Sequence, residues 1–265
     1  MNYLSEFMKL VKTDFDEWKQ KGFCARARKL NDSIGGVEKY FDETEPQYFT
    51  GNPDAELVLV HLNPKRNRNL FSKANSFEDF QAYWKYYSHF GKYKYGKDAD
   101  RTHKSPFDKK QIRFLYPFGI LPFLPTKDIE SQYHNLEIVK DMKFQLELLP
   151  YGSPKFELQK LQKYLGDYSE QRLKMIASRE RKIILFCGKI FTEILTPYIK
   201  RKKEWTFQLK KNDGTLTKIE YGFVKLELAI DNEVFYAGIV PQYALQGAPL
   251  VEYGKMCSKY YDKPI

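Results

Sequence analysis

Leu57-Val58-Leu59-Val60 is a run of four apolar residues with no polar position among them. The turn residues Gly51-Asn52-Pro53-Asp54 introduce it, and it ends in His61-Leu62-Asn63-Pro64. A leucine and β-branched run of this kind predicts a strand buried on both faces, the setting of a central strand in a parallel sheet. Pro64 has no N–H to give a neighbouring strand, so it ends the ladder. Asn63 is thereby left at the carboxyl end of a central strand. That edge is where open α/β sheets hold their ligands.

Three further runs repeat the pattern: Phe144 to Leu149, Lys182 to Cys187 and Glu233 to Val240. Each is closed by turn residues: Pro150-Tyr151-Gly152-Ser153-Pro154, then Gly188-Lys189, then Pro241 to Gly247. Helical periodicity lies between and around them. It covers residues 2–20 (Leu4, Phe7, Met8, Val11, Phe15, Trp18, ended by Gly22), 155–180, about 190–199, and the tail Pro249 to Tyr261. The predicted fold is α/β: a three-layer α/β/α sandwich around a central four-stranded, mostly parallel sheet. The chain reads as one domain, with residues 1–45 an N-terminal helical extension and 65–115 an insertion. Asn212-Asp213-Gly214 between Trp205–Lys211 and Thr215–Tyr221 predicts an added β-hairpin, and Phe223 to Ile230 a further strand. The basic run 200–204 falls at the C-terminus of the 190–199 helix, where it suits the helix dipole as well as DNA.

The insertion opens on Lys65, Arg66 and Arg68 and then interleaves lysines with ten aromatic residues from Phe71 to Tyr95. Ser76 is a plausible N-cap for a helix to Phe90. GKYKYGKDADRTHKSP predicts an exposed loop, and residues 111–125, punctuated by prolines, a turn or short strand lining a pocket. The net charge of +10 and an aromatic fraction of 16% favour nucleic acid as partner, since cations meet phosphate and rings stack on bases. A local aromatic core is the plainer alternative. Three distant cysteines and four histidines without ligand spacing predict no disulfide framework, no metal and no cofactor. No apolar stretch is long enough to cross a membrane, and MNYLSEFMKL is not a secretory leader. The expectation is a reduced, cytoplasmic monomer.

GNPDAELVLVHLNPK, with the order of the four strands, resembles the uracil-DNA glycosylase superfamily. The likeness covers most of residues 46–260; it is specific at the first motif and loose elsewhere. It implies a four-stranded parallel sheet between helices, a Gly-x-Asn-Pro type motif after strand one, and a His-Pro-Ser type motif with an intercalating loop after strand four. Asn63 falls where the mismatch-specific and single-strand-selective branches carry their catalytic Asn. His61 stands in place of the family's first glycine, and the last motif reads Val240-Pro241-Gln242, without the usual His or Asn. Glu147, a lone acid in an apolar strand, falls at the position of the base-reading Asn. An ionised Glu only accepts hydrogen bonds, so it favours the exocyclic amine of cytosine over O4 of uracil. Pairing of Glu147 with a nearby Lys or Arg is the competing expectation.

The resemblance therefore implies a monofunctional DNA glycosylase acting on a flipped base. Glu147 points to a cytosine-type base, and the long aromatic insertion after Asn63 predicts a pocket wide enough for a bulky modified cytosine, such as the hydroxymethylated or glucosylated base of phage DNA, and with it a role in defence against phage. The alternatives are a uracil or mismatch glycosylase of base-excision repair, or an inactive DNA-binding relative. Asn63 would position the water, and His61 would assist the leaving base or be structural. Phe114, Tyr116 or Phe118 would stack on the base. Lys65, Arg66, Arg68, Lys189 and Gln242 would contact DNA, and Tyr243 or Leu245 would fill the gap in the stack. Gly188-Lys189 as a phosphate cradle is a distant third reading, because one Gly-Lys pair is no Walker loop.

Overall fold

The structure, a computed structural model, describes residues 3–34, 44–64, 77–99, 101, 105–119, 128–153, 156, 158–211, 213–243 and 247–265. Four short apolar strands form the centre of its sheet: β2 (Leu57–His61), β3 (Lys143–Glu147), β4 (Ile183–Cys187) and β7 (Glu233–Val240). They are parallel to one another, in the order β3-β2-β4-β7. Three more strands flank them. β1 (Phe49–Gly51) pairs antiparallel with β3, while β6 (Tyr221–Ile230) and β5 (Ile199–Phe207) continue antiparallel beyond β7. The α/β class holds, but the sheet has seven strands in the order β1-β3-β2-β4-β7-β6-β5, not four.

Helices cover both faces. On one, α1 (Tyr3–Lys21), α2 (Ala25–Ile34), α3 (Phe80–Ser88), the single turn α7 (Leu158–Leu161) and α8 (Leu165–Ala177) close over Val58, Val60, Phe144, Leu146, Ile184 and Phe186. On the other, α4 (Phe90–Tyr95), α5 (Pro106–Leu115), α6 (Ile129–Asp141) and α10 (Leu250–Tyr261) close over Leu57, Leu59, Ile183 and Leu185. The period-two alternation of strand side chains makes this division. The N-terminal residues belong to the main core: Phe7 packs edge-on against Phe144 of β3, at 6.4 Å between ring centroids.

Several local expectations are corrected. Residues 199–207 form an exposed edge strand, so the basic run does not end a helix. The preceding helix, α9 (Phe191–Ile194), is only one turn, followed by a 3-10 turn at Thr196–Tyr198 whose Pro197 cannot continue an α-helix. Lysines on an edge strand discourage pairing with a second chain. The expected hairpin is present only in short form: Lys210 bridges Leu216, and the Lys211 and Thr217 N–H groups donate to the Thr215 and Leu209 carbonyls, while Trp205 to Phe207 pair with β6. Residues 90–95 are helical rather than an exposed loop. Residues 111–115 complete α5, and the proline-bearing 3-10 turn Tyr116–Phe118 stops it. Asp79 caps α3, its side chain accepting from the Ala82 N–H at 2.8 Å; Ser76 lies outside the described residues.

The aromatic residues of 77–90 do not form a stacking surface. Trp84 packs on Phe49 of β1 at 4.8 Å, Tyr83 on Phe15 of α1 at 5.0 Å and on Tyr87 at 4.7 Å. The Tyr83 hydroxyl donates to the Pro46 carbonyl and that of Tyr87 to Glu45. This is core covering the β1 edge, the plainer of the two expectations for these rings.

A polar row at the carboxyl edge of the sheet

Because β2, β3, β4 and β7 are parallel, their last residues gather at one edge. These are His61, Glu147, Cys187 and Val240. His61 and Glu147 are register partners on adjacent strands, so they lie side by side on one face, about 5 Å apart along the ladder direction. α5 covers this row: Phe107 meets the His61 ring edge-on at 5.5 Å. Tyr243, in the turn after β7, meets His61 at 5.5 Å, Phe107 at 6.1 Å and Phe114 at 5.2 Å.

The β3 side of the row is a buried polar ladder. Lys143, Gln145 and Glu147 share a face because strand side chains alternate. Gln145 Nε2 donates to Glu147 Oε1 at 3.0 Å, and Lys143 Nζ donates to Gln145 Oε1 at 2.7 Å. From α5, Gln111 Nε2 donates to Gln145 Oε1 at 3.1 Å, and its own Oε1 accepts from Lys143. Beyond the ladder, Asp108 pairs with Lys140 at 2.8 Å and Lys94 at 3.2 Å and accepts from the Tyr95 hydroxyl. Behind Glu147, Arg172 of α8 donates from Nε to the Glu147 carbonyl at 2.7 Å and lies over the Tyr48 ring at 4.9 Å.

Among the described residues, three buried polar atoms along this row have no hydrogen-bond partner: His61 Nε2, Glu147 Oε2 and the Tyr243 hydroxyl. The hydroxyl lies beside the Gln111 amide without good hydrogen-bond geometry. Leaving such atoms unpaired away from water is costly, and folds retain them where a ligand or water completes them.

Burial pushes the Glu147 carboxyl up to about 7, against the pull of its Gln145 bond and of Lys140, Lys143 and Arg172. Burial, reinforced by Lys143 and Lys140, pushes the His61 imidazole down to about 3. His61 is therefore neutral at physiological pH and has no extra proton to give a leaving group; only its ring N–H can donate. Burial raises the Asp108 pKa, but Lys140, Lys94 and Lys143 outweigh it and hold the carboxylate well below its ordinary range. Burial, then the neighbouring Lys140, lowers Lys143 well below the usual lysine range.

Asn63 stands just beyond β2. Its side-chain nitrogen donates to Ser153 Oγ at 2.7 Å and the Tyr151 carbonyl at 3.2 Å, with the Pro64 carbonyl at 3.4 Å. Carbonyl oxygens only accept, so these neighbours fix the amide's sense. Its Oδ1 accepts no hydrogen bond from the described residues. An oriented carbonyl oxygen of this kind can hold a water molecule.

The remaining predicted residues are placed as follows. Phe114 is fully buried between Tyr243 and Tyr253 and cannot stack on a ligand while Tyr243 stays in place. Tyr116 and Phe118 are half-buried in the 3-10 turn, with Phe118 resting on Phe114 at 5.7 Å. Gln242 is turned into the fold: its Oε1 accepts from the Gly222 N–H at 3.0 Å and the Tyr253 hydroxyl at 3.2 Å. Tyr243 is a filler inside the site rather than an outward wedge, because three aromatic rings and burial of its hydroxyl hold it inward. Lys189 is exposed just after β4. Lys65, Arg66, Arg68 and Leu245 lie outside the described residues.

Sequence reasoning missed Lys143, Gln145, Gln111, Asp108 and Phe107. One signal was present: KFQLE alternates polar and apolar residues, which marks one polar face inside an otherwise buried strand. The α5 residues gave no comparable signal, since nothing in a helix's own sequence names the strand beneath it.

The edge also carries charge. A groove of about 520 Å³ beyond α5 is lined by Arg113, Lys210, Lys211 and Lys255, with Glu252 its one acid. Lys255 pairs with Glu252 at 3.5 Å; Arg113, Lys210 and Lys211 form no ion pair among the described residues. A cavity of about 670 Å³ lies near the opposite, amino edge, between Arg181, Lys225 and Tyr261, and touches none of the predicted site residues. Size alone does not mark the site: among the described residues the cavity holds one unpaired buried atom, Arg181 Nε, whereas three gather along the carboxyl-edge row. Among the described residues no helix is long and apolar enough to cross a membrane. In comparisons with known proteins, the chain matches no protein-family model and no curated sequence.

Proposed function

We propose that this protein hydrolyses the N-glycosidic bond of a flipped-out cytosine-type base in DNA, leaving an abasic site. The observation that carries the reading is Glu147: a carboxyl 3% exposed, its Oε2 unpaired, one strand from Asn63 at the carboxyl edge. A base within a duplex is out of reach, so the nucleotide must leave the stack. Ionised, Glu147 Oε2 accepts from an exocyclic amine; protonated, it donates to a carbonyl. Since Glu147 titrates at about 7, preference for the amine-bearing base should strengthen as pH rises through neutrality.

Asn63 Oδ1 holds the attacking water. An amide is a poor base, so bond cleavage runs ahead of attack and water captures an oxocarbenium-like sugar. The neutral His61 contributes a ring N–H toward the departing base rather than a proton. Basic side chains in the Arg113–Lys211 groove meet backbone phosphates. The aromatic residues Phe77, Tyr83, Trp84 and Tyr87 pack into the core and lend no width to the pocket, and Glu147 supports a cytosine-type base without specifying a modification.

The test is base release from oligonucleotides carrying cytosine, hydroxymethylcytosine, glucosylated hydroxymethylcytosine or uracil, read as alkali-labile strand breaks. Release from one or more cytosine-type substrates, reduced about a hundredfold by Asn63→Ala, supports the reading. Release of uracil alone removes it. Tyr243 favours a second reading, a DNA-binding protein without catalysis, because its ring occupies the place a flipped base would take. In that case DNA binding persists and no base is released, with or without Asn63→Ala.

A further inference from the structure

The polar ladder under Glu147 has a direction, and chemistry dictates it. The Lys143 amine meets both neighbouring amides at their oxygens, Gln145 Oε1 at 2.7 Å and Gln111 Oε1. Gln111 adds its own N–H to Gln145 Oε1 at 3.1 Å. With its oxygen engaged twice, Gln145 has only its NH₂ group left for Glu147, and it donates to Oε1 at 3.0 Å. Oε1 is thereby committed as an acceptor. Any proton on Glu147 sits on Oε2, the unpaired oxygen of the site.

We infer that Lys143, acting through Gln145, is the positioning residue that decides whether Glu147 presents an acceptor or a donor to its ligand, and hence which base the site prefers. The inference rests on the proposed base-reading role of Glu147. Ionisable groups surround Glu147 on every packed element: Lys143 on its own strand, His61 on β2, Cys187 on β4, Lys140 on α6, Arg172 on α8, Asp108 on α5 and Tyr243 after β7. Of these, Lys143, Lys140 and Arg172 favour the ionised form. Removing Lys143 acts twice in one direction. It takes away a favourable charge, and it leaves the Gln145 oxygen with Gln111 as its remaining donor, so that the amide turns more readily to present its oxygen to a protonated Glu147. Both changes hold Glu147 protonated and turn its Oε2 into a donor, suited to a carbonyl-bearing base such as uracil.

Two variants test this. Lys143→Met keeps the side-chain length without the amine but leaves the Gln111 Oε1 acceptor without its donor, so a thermal melt first establishes that the variant is folded. Gln145→Met leaves Lys143 in place but breaks its link to Glu147. The first readout is titration of the Glu147 carboxyl by carbon-13 NMR on glutamate-labelled protein, the resonance assigned by its loss in Glu147→Gln. Both variants should lower the ionised fraction of Glu147 at neutral pH, about tenfold for Lys143→Met. Gln111→Leu, which spares the Lys143–Gln145 bond, should change it far less. The second readout is the ratio of cytosine-type to uracil release, which should fall with the ionised fraction. Unchanged Glu147 titration in both variants overturns the inference, as does a moved titration with an unchanged base ratio. If the unaltered protein releases no base, the proposed function fails, and the titration still decides whether Lys143 sets the state of Glu147.

Discussion

At the scale of single residues, the site is defined by buried polar atoms whose partners are missing, and two of its groups depart from ordinary titration in opposite directions. Glu147 is raised from its usual 4.5 to about 7, so its folded form favours the proton. That contribution to stability is present below pH 4.5 and is lost as pH rises to 7. His61 is lowered from 6.5 to about 3, so its contribution is present above pH 6.5 and is lost as pH falls toward 3. Glu147→Gln removes only the first. Its thermal midpoint should gain on the parent protein between pH 4.5 and pH 8, by up to about 3 kcal/mol of stability. A gap that is constant across this range contradicts the assignment. Tyr243→Phe deletes a buried hydroxyl that makes no hydrogen bond among the described residues, so denaturant titration should find it neutral or slightly stabilising. A loss above about 1 kcal/mol would mean that the hydroxyl has a partner in solution.

At the scale of elements, the site depends on how closely α10 presses α5 onto the strand ends. Gly254 of α10 lies against the Phe114 carbonyl, and a Cβ there would run into that oxygen. Gly254→Val should therefore push the helices apart and cost about 1–3 kcal/mol, seen as a lower thermal midpoint. It should also loosen Tyr243, which rests on Phe114, so near-ultraviolet dichroism should weaken alongside. Gly51, at φ +89°, plays the matching part on the other flank, where β1 crosses close to the Lys143 carbonyl. In sequence Gly51 reads as part of a turn. It is the last residue of a strand because antiparallel pairing with β3 extends to Phe144.

At the scale of the molecule, the carboxyl edge carries both the polar row and a groove whose Arg113, Lys210 and Lys211 form no ion pair among the described residues. Under the proposed function, exchanging Lys210 and Lys211 for Glu should weaken DNA binding at every sequence and flatten the dependence of log K on log salt by about 2, measured by fluorescence anisotropy. An unchanged slope excludes this groove from the DNA path. The net charge of +10 could not have located it, since most lysines lie elsewhere. What the sequence determined by itself is the set of four central strands and the position of Asn63 after the first of them. Both follow from local chemistry: predominantly apolar runs bury in a sheet, and proline ends a ladder. The tertiary structure alone decided that Glu147 has His61 as its neighbour and Lys143, Gln145 and Gln111 as its support. It also decided that Phe77, Tyr83, Trp84 and Tyr87 are core and that Tyr243 points inward. Those outcomes depend on strand register and on which helix covers which strand, and both are set by contacts between residues far apart in the chain.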